Sequence, residues 1–128
     1  MTFSLNEVEA LAKKAARGAG YTWGLAEEAG KAVRWLCAHD IDGCAVLADL
    51  LVEVDGLDQA DCAPVPGVIW TSRGEKLCPI AGGCALSDHA EFLGDGNLRF
   101  ENVMKPALLV PFVAWSARSQ NKLSLIHI

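Results

Sequence analysis

The sequence predicts an α+β fold: an N-terminal helical hairpin plus a third helix, packed on a small, mainly antiparallel sheet. Two observations carry this. Up to Glu53 the chain holds three runs with apolar residues at helical spacing, each opened by a capping residue. From Val54 to Gly67 that pattern dissolves into a loop rich in Asp, Gly and Pro, and short alternating runs follow it.

The first helix opens at Leu5. Ser4-Leu5-Asn6-Glu7 is a capping box, in which the Ser4 hydroxyl and the Glu7 carboxylate each satisfy a free amide of the first turn. Leu5, Val8, Leu11, Ala12, Ala15 and Ala16 recur on one face, with acids early and bases late, as the helix dipole prefers. Gly18 and Gly20 end it. Thr22 caps a second helix over about 23–38, whose wide stripe runs through Leu25, Ala26, Ala29, Ala32, Val33 and Leu36. Alanines on the first helix, and Ala26, Ala29 and Gly30 on the second, allow close backbone approach, so an antiparallel hairpin is expected. Asp42 caps a shorter third helix from Cys44 to about Glu53.

After the loop, residues 68–71 read as a strand, Ser72-Arg73-Gly74-Glu75 as a turn, and Lys76 to Ile80 as the partner that completes a hairpin. Gly94 to Asn97 is a turn signal before a further strand over 98–103. Ala107 to Arg118 reads as a buried helix opening after Pro106, with Pro111 tolerated in its first turn; a buried strand is the alternative.

Composition narrows the function. An apolar fraction of 52% with 21% charged residues is that of a globular chain. A net charge of −5 disfavours nucleic acid as a partner, because phosphate neutralisation needs clustered Lys and Arg. The amino terminus lacks the basic start and apolar run of a secretory signal, and no apolar stretch is long enough to cross a membrane, so a cytoplasmic location is expected. Five cysteines, an odd count, read as reduced thiols rather than a disulfide framework.

Gly18-Ala19-Gly20 and Gly24 do not make a dinucleotide fingerprint. A helix precedes them, and Trp23 stands where the third glycine belongs. They are expected to link two helices, with amides at the start of the second offering an anion-binding spot. Adjacent Glu27 and Glu28 diverge by about 100° on a helix, so they form no carboxylate pair. Glu27 is expected to pair with Lys31, while Glu28 is the candidate acid or base. Cys78, before Pro79 and a Gly82-Gly83 turn, is a candidate nucleophile, with Asp88 and His89 close in sequence. No two among Cys37, His39, Cys44, Cys62, Cys78, Cys84 and His89 have the close spacing of a structural zinc site, and Asp40-Ile41-Asp42-Gly43 fails as a calcium loop. No metal is expected, and the residues point to no particular cofactor.

Two functions follow. One is a cytoplasmic small-molecule enzyme or accessory subunit, with a cleft between the Gly18–Gly24 link and the Cys78–Asp88 loop. In it, Cys78, Asp88 and Glu28 are the catalytic candidates, and Gly18, Gly20, Trp23 and Gly82 the ligand-binding ones. The other is a non-catalytic assembly module anchored by Trp23 and Trp35, since indoles on the rim of a helix suit a protein partner.

The stretch from Ala16 to Leu36, ARGAGYTWGLAEEAGKAVRWL, resembles the opening signature of a bacterial family known only as domain of unknown function 3726. Cys78-Pro79-Ile80-Ala81-Gly82, Asp88 and Pro106-Ala107-Leu108-Leu109-Val110-Pro111-Phe112 resemble later parts of it, so nearly all of the native residues are expected to match. The resemblance implies no reaction, but it does imply a longer chain. Leu123-Ser124-Leu125-Ile126-His127-Ile128 is similar to one reading frame of a transposase mosaic-end sequencing adapter. Residues 1–122 are therefore expected to be a truncated domain, and 123–128 a non-native tail.

Overall fold

The computed structural model describes residues 3–67, 69–89 and 98–119, and the backbone of 126–127. Its helices are α1 (Leu5–Gly18), α2 (Trp23–Ala38), α3 (Gly43–Val54), a short α4 (Gln59–Cys62), α5 (Pro79–Asp88) and α6 (Val110–Ser119). Its strands are β1 (Pro64–Val65), β2 (Ile69–Ser72), β3 (Leu98–Phe100) and β4 (Ile126–His127), and a 3-10 turn, Pro106–Leu108, precedes α6. The fold is α+β.

The capping residues act as their types predict. Ser4 Oγ accepts from Glu7 N at 3.1 Å, Thr22 Oγ1 from Leu25 N at 3.3 Å, and Asp42 Oδ1 from Ala45 N at 3.1 Å. α1 ends in a Schellman motif: Tyr21 N–H reaches Ala16 O, Gly20 N–H reaches Arg17 O, and Gly20 takes φ +104°. α1 and α2 then pack tightly as a hairpin. A Cβ placed on Gly30 would lie 2.9 Å from the Glu9 carbonyl oxygen, so only glycine permits this approach.

The sheet has the order β1-β2-β3-β4 and is mixed. β1 runs antiparallel to β2, whereas β2–β3 and β3–β4 are parallel, with Trp70 opposite Phe100 and Leu98 opposite Ile126. The expected hairpin between residues 68–71 and Lys76–Ile80 does not form. Turn residues 72–75 are in place, with Glu75 at φ +67°, but beyond them, among the described residues, only Leu77 bridges, to Val103. Pro79 explains the departure. It has no N–H for a ladder, and its fixed φ suits the first position of a helix, which is where it starts α5. α5 then supplies part of the crossover that a parallel β2–β3 pair requires. The strand expected over 98–103 is ordered as β3 for its first three residues, while Val68 and the expected turn at 94–97 lie outside the described residues.

Gly82 and Gly83 are not a turn but the inner face of α5. A Cβ on Gly82 would meet Leu77 and Phe100, and one on Gly83 would lie 2.3 Å from the Phe112 ring. Packing there decides against the glycines' weak helix propensity. Two groups of buried side chains result. Ala16, Ala29, Val33, Leu36, Leu50, Ile80 and Phe112 join the helices, and Trp70, Leu77, Leu86, Phe100 and Leu109 join the sheet to α5 and α6. α6 confirms the helical reading of the last apolar run, with Pro111 in its first turn.

Candidate functional site

The Schellman turn that ends α1 drives Tyr21 inward. Arg17 Nη1 donates to Tyr21 O at 2.8 Å and pins the link, and the ring is buried, 3% exposed. Asp58 caps α4 through Ala60 N at 3.0 Å, which sets Cys62 at the end of that helix. Cys62 O accepts from Cys78 N at 2.9 Å, and Cys78 O in turn accepts from Gly82 N as α5 begins. Cys78 therefore stands at a fixed helix start, and its thiol meets the Tyr21 hydroxyl at 3.2 Å, either atom being able to donate.

These contacts floor a cleft of about 240 Å³ between the α1–α2 link, α3, α4 and the start of α5. Leu25, Val54, Leu57 and Ala81 form its apolar walls, and Gln59 brings an amide to the mouth. A Cβ on Gly20 would touch Gln59 Nε2 at 3.5 Å, so the glycine link does border this cleft. Among the described residues no Asp, Glu, Lys, Arg or His lines it. Burial, reinforced by Cys78, holds the Tyr21 phenol far above its ordinary range, and burial likewise pushes the Cys62 thiol up, again with Cys78 beside it. At neutral pH both groups are uncharged hydrogen-bonding partners in an apolar wall.

The candidates read from the sequence divide around this cleft. Cys78 and Gly20 reach it. Asp88 does not: it is exposed at the far end of α5, about 15 Å along the axis from Cys78 at about 1.5 Å per residue. Glu28 is not there either, and the Glu27–Lys31 pairing is replaced by Lys31–Glu28 at 3.2 Å and Lys13–Glu27 at 3.3 Å. Lys31 thus takes the neighbouring glutamate, and Glu27 is met by Lys13, which α1 lies close enough to offer across the hairpin. Cys78, Asp88 and Glu28 consequently do not meet as one group, and a Cys78 that is 3% exposed has no carboxylate or imidazole in its cleft to activate it. Glu28 and Asp88 are instead felt by Cys84, whose thiol is pushed up to about 12, by burial first and by those two carboxylates next.

Of the remaining candidates, Gly82 packs inside α5 and Gly18 has open space around it. Trp23 is 60% exposed, with Arg17 and Lys13 over its ring at 4.8 and 5.6 Å. Trp35 is half-buried and stacks on His39 with centroids 3.8 Å apart, while His39 Nδ1 lies 2.7 Å from Trp35 O. Among the described residues no three His, Cys, Asp or Glu side chains come together as a metal site, and no helix is long and apolar enough to cross a membrane. Sequence reading missed Tyr21, Gln59 and Cys62. The signal for Tyr21 was its position after Gly20, where a Schellman turn buries an apolar residue. Cys62 could have been found from Asp58, which opens a helical turn inside the presumed loop.

Fold and cleft together define a small α+β domain with a preformed, uncharged, mainly apolar recess. The family model described as Protein of unknown function (DUF3726) matches residues 3–78, and the chain belongs to that family. No curated protein and no solved structure matches it. The matched span holds Tyr21, Gln59, Cys62 and Cys78, the polar complement of the cleft, and stops as α5 begins. The match therefore covers less than the expected near-whole of residues 1–122, and the segments after Cys78 expected to resemble the family lie beyond it.

Proposed function

We propose that the chain is a cytoplasmic small-molecule-binding domain, serving a metabolic enzyme or its accessory subunit, and that the cleft holds a compact, neutral, mainly apolar ligand with one hydrogen-bonding group. The Tyr21–Cys78 contact carries this reading. It gives an apolar recess one paired polar spot at a fixed place, which is the usual composition of a ligand site. Size supports a small occupant: a cavity of about 150 Å³ accommodates benzene in another protein, and about 240 Å³ suits a somewhat larger molecule. The missing charges argue for binding and orientation by these residues, not for acid–base work by them.

Phenol is a suitable probe. In an amide NMR titration, saturable shifts at Tyr21, Cys62 and Cys78 are expected, and Tyr21→Phe should weaken binding about five- to tenfold, the worth of about 1 kcal/mol for one hydrogen bond. Shifts confined to other surfaces, or unsaturable ones, would remove the proposal.

Exposure of Trp23 favours a second reading, an assembly module. Against it, Lys13 and Arg17 already engage the Trp23 ring, and His39 engages Trp35. This reading expects a concentration-dependent rise in sedimentation coefficient that Trp23→Ala abolishes.

A further inference from the structure

The charged residues of α1 divide by the way they face. Three are met within the hairpin: Glu9 by Arg34 of α2 at 3.7 Å, Lys13 by Glu27 of α2 at 3.3 Å, and Arg17 by the Tyr21 carbonyl at 2.8 Å. Glu7 and Lys14 face away from α2. Both residues are exposed, and among the described residues neither the Glu7 carboxylate nor the Lys14 ammonium has an ion-pair or hydrogen-bond partner. On a helix their spacing sets them about 20° apart around the axis and about 10 Å apart along it. Leu11 lies between them, 59% exposed.

The surface beside this row is apolar and open. Ala15, Ala48 and Leu51 border a groove of about 260 Å³ between α1 and α3, with Leu11 on its rim and no charged side chain among its described lining residues. Val52, one turn beyond Ala48 on α3, is 78% exposed. A single exposed leucine is ordinary, but one on the rim of an apolar groove, flanked by two unmatched charges of opposite sign, calls for a partner. The arrangement fits a second copy of the chain. With a two-fold axis near Leu11, an antiparallel second α1 sets Glu7 of each copy opposite Lys14 of the other and brings the two Leu11 side chains together. The face is complementary to itself. Ala10, Ala15 and Gly18 around Leu11 are small, and nothing lies within 4 Å of a Cβ on Gly18, so the two helix axes can approach closely.

We propose that the chain forms a symmetric homodimer through the outer face of α1 and the rim of α3, with Leu11 at its centre and two reciprocal Glu7–Lys14 ion pairs at its edges. Each Leu11 closes the mouth of the other copy's groove, which removes apolar surface from water. The ion pairs are exposed and individually weak, so they fix the antiparallel direction more than the affinity. A contact built on one short helix and the rim of another is small, and the dimer is expected in the micromolar range. This face is separate from the cleft floored by Tyr21 and Cys78, and from Trp23, whose ring lies beneath Lys13 and Arg17. The dimer therefore depends on neither reading of the function.

The test is sedimentation velocity of the intact chain at rising concentration, with circular dichroism recording that each variant is folded. The parent should pass from monomer to dimer over the micromolar range, and Leu11→Asp should remain monomeric throughout. Glu7→Lys and Lys14→Glu each set like charges face to face twice per dimer, so each should weaken self-association about tenfold or more. Mixed together, these two variants should associate as the parent does, since every facing pair is then opposite in sign. Trp23→Ala should leave the dimer unchanged. A parent that stays monomeric to millimolar concentration, a dimer that survives Leu11→Asp or is lost in Trp23→Ala, or charge variants that do not recover on mixing would each overturn the proposal. Leu11 is exposed, so Leu11→Asp decides the matter even if a charge variant folds poorly.

Discussion

Replacing Gly83 with alanine measures how closely α5 and α6 are packed. The added Cβ would lie 2.3 Å from both Cγ and Cδ2 of Phe112, where carbons normally approach to about 3.5 Å, an overlap of more than about 1 Å. Phe112 cannot simply swing away. It is fully buried and meets Trp115 edge-on at 5.3 Å. Overpacking of a filled core costs about 1–3 kcal/mol and sometimes more, and this overlap belongs at the upper end. Alanine returns about 1 kcal/mol of helix propensity, leaving a net loss of about 2 kcal/mol. Gly24 is the control, since nothing lies within 4 Å of its Cβ position, so Gly24→Ala should be neutral or stabilising by up to about 1 kcal/mol. Urea unfolding followed by tryptophan fluorescence reads the difference. At a slope of about 1 kcal/mol per molar urea, Gly83→Ala should lower the midpoint by about 2 M. A midpoint at or above that of the parent would refute the α5–α6 contact through Gly83.

Two further outcomes follow from the backbone and the buried titratable groups. Asp40 closes the α2 Schellman motif at φ +63°, a conformation that costs a side-chain-bearing residue about 1 kcal/mol, so Asp40→Gly should raise stability by about 0.5–1 kcal/mol, seen as a higher thermal midpoint. Burial raises the Cys44, Cys62 and Tyr21 groups and takes Cys84 from 9.0 to about 12. The folded chain keeps these protons after the unfolded chain has lost them. Stability from these groups is thus complete below about pH 9 and declines as pH rises toward about 12, so urea midpoints should fall over that window. Midpoints that hold or climb there would contradict the burial of these groups.

The helical half was legible because its signals are local. Ser4, Thr22 and Asp42 each cap through their own following turn, and Gly20 closes α1 through residues five positions back or fewer. The sheet was less legible because its pairing is not local. A turn at residues 72–75 reads the same whether the next segment returns beside β2 or leaves as α5, and Pro79 was the residue that distinguished them. Gly82 and Gly83 read as a turn for the same reason: their helix is specified by the side chains of Phe100 and Phe112, far along the chain. At the cleft, Cys78 was singled out for a reactivity that its surroundings do not support. Its real neighbour, Tyr21, lies 57 positions away, and no spacing in the sequence encodes that hydrogen bond.

Tyr21 is the chain's single tyrosine, so its phenolate absorbance in the near ultraviolet reports on the cleft with no label or substitution. Titrated upward in pH with tryptophan fluorescence recorded in parallel, the buried phenol paired with Cys78 should show no ionisation near the ordinary value of 10.0. Its phenolate should emerge only together with the loss of native fluorescence. A smooth titration near 10.0 in a chain that is still folded would place Tyr21 in solvent, and the cleft with its Tyr21–Cys78 floor would not exist as described.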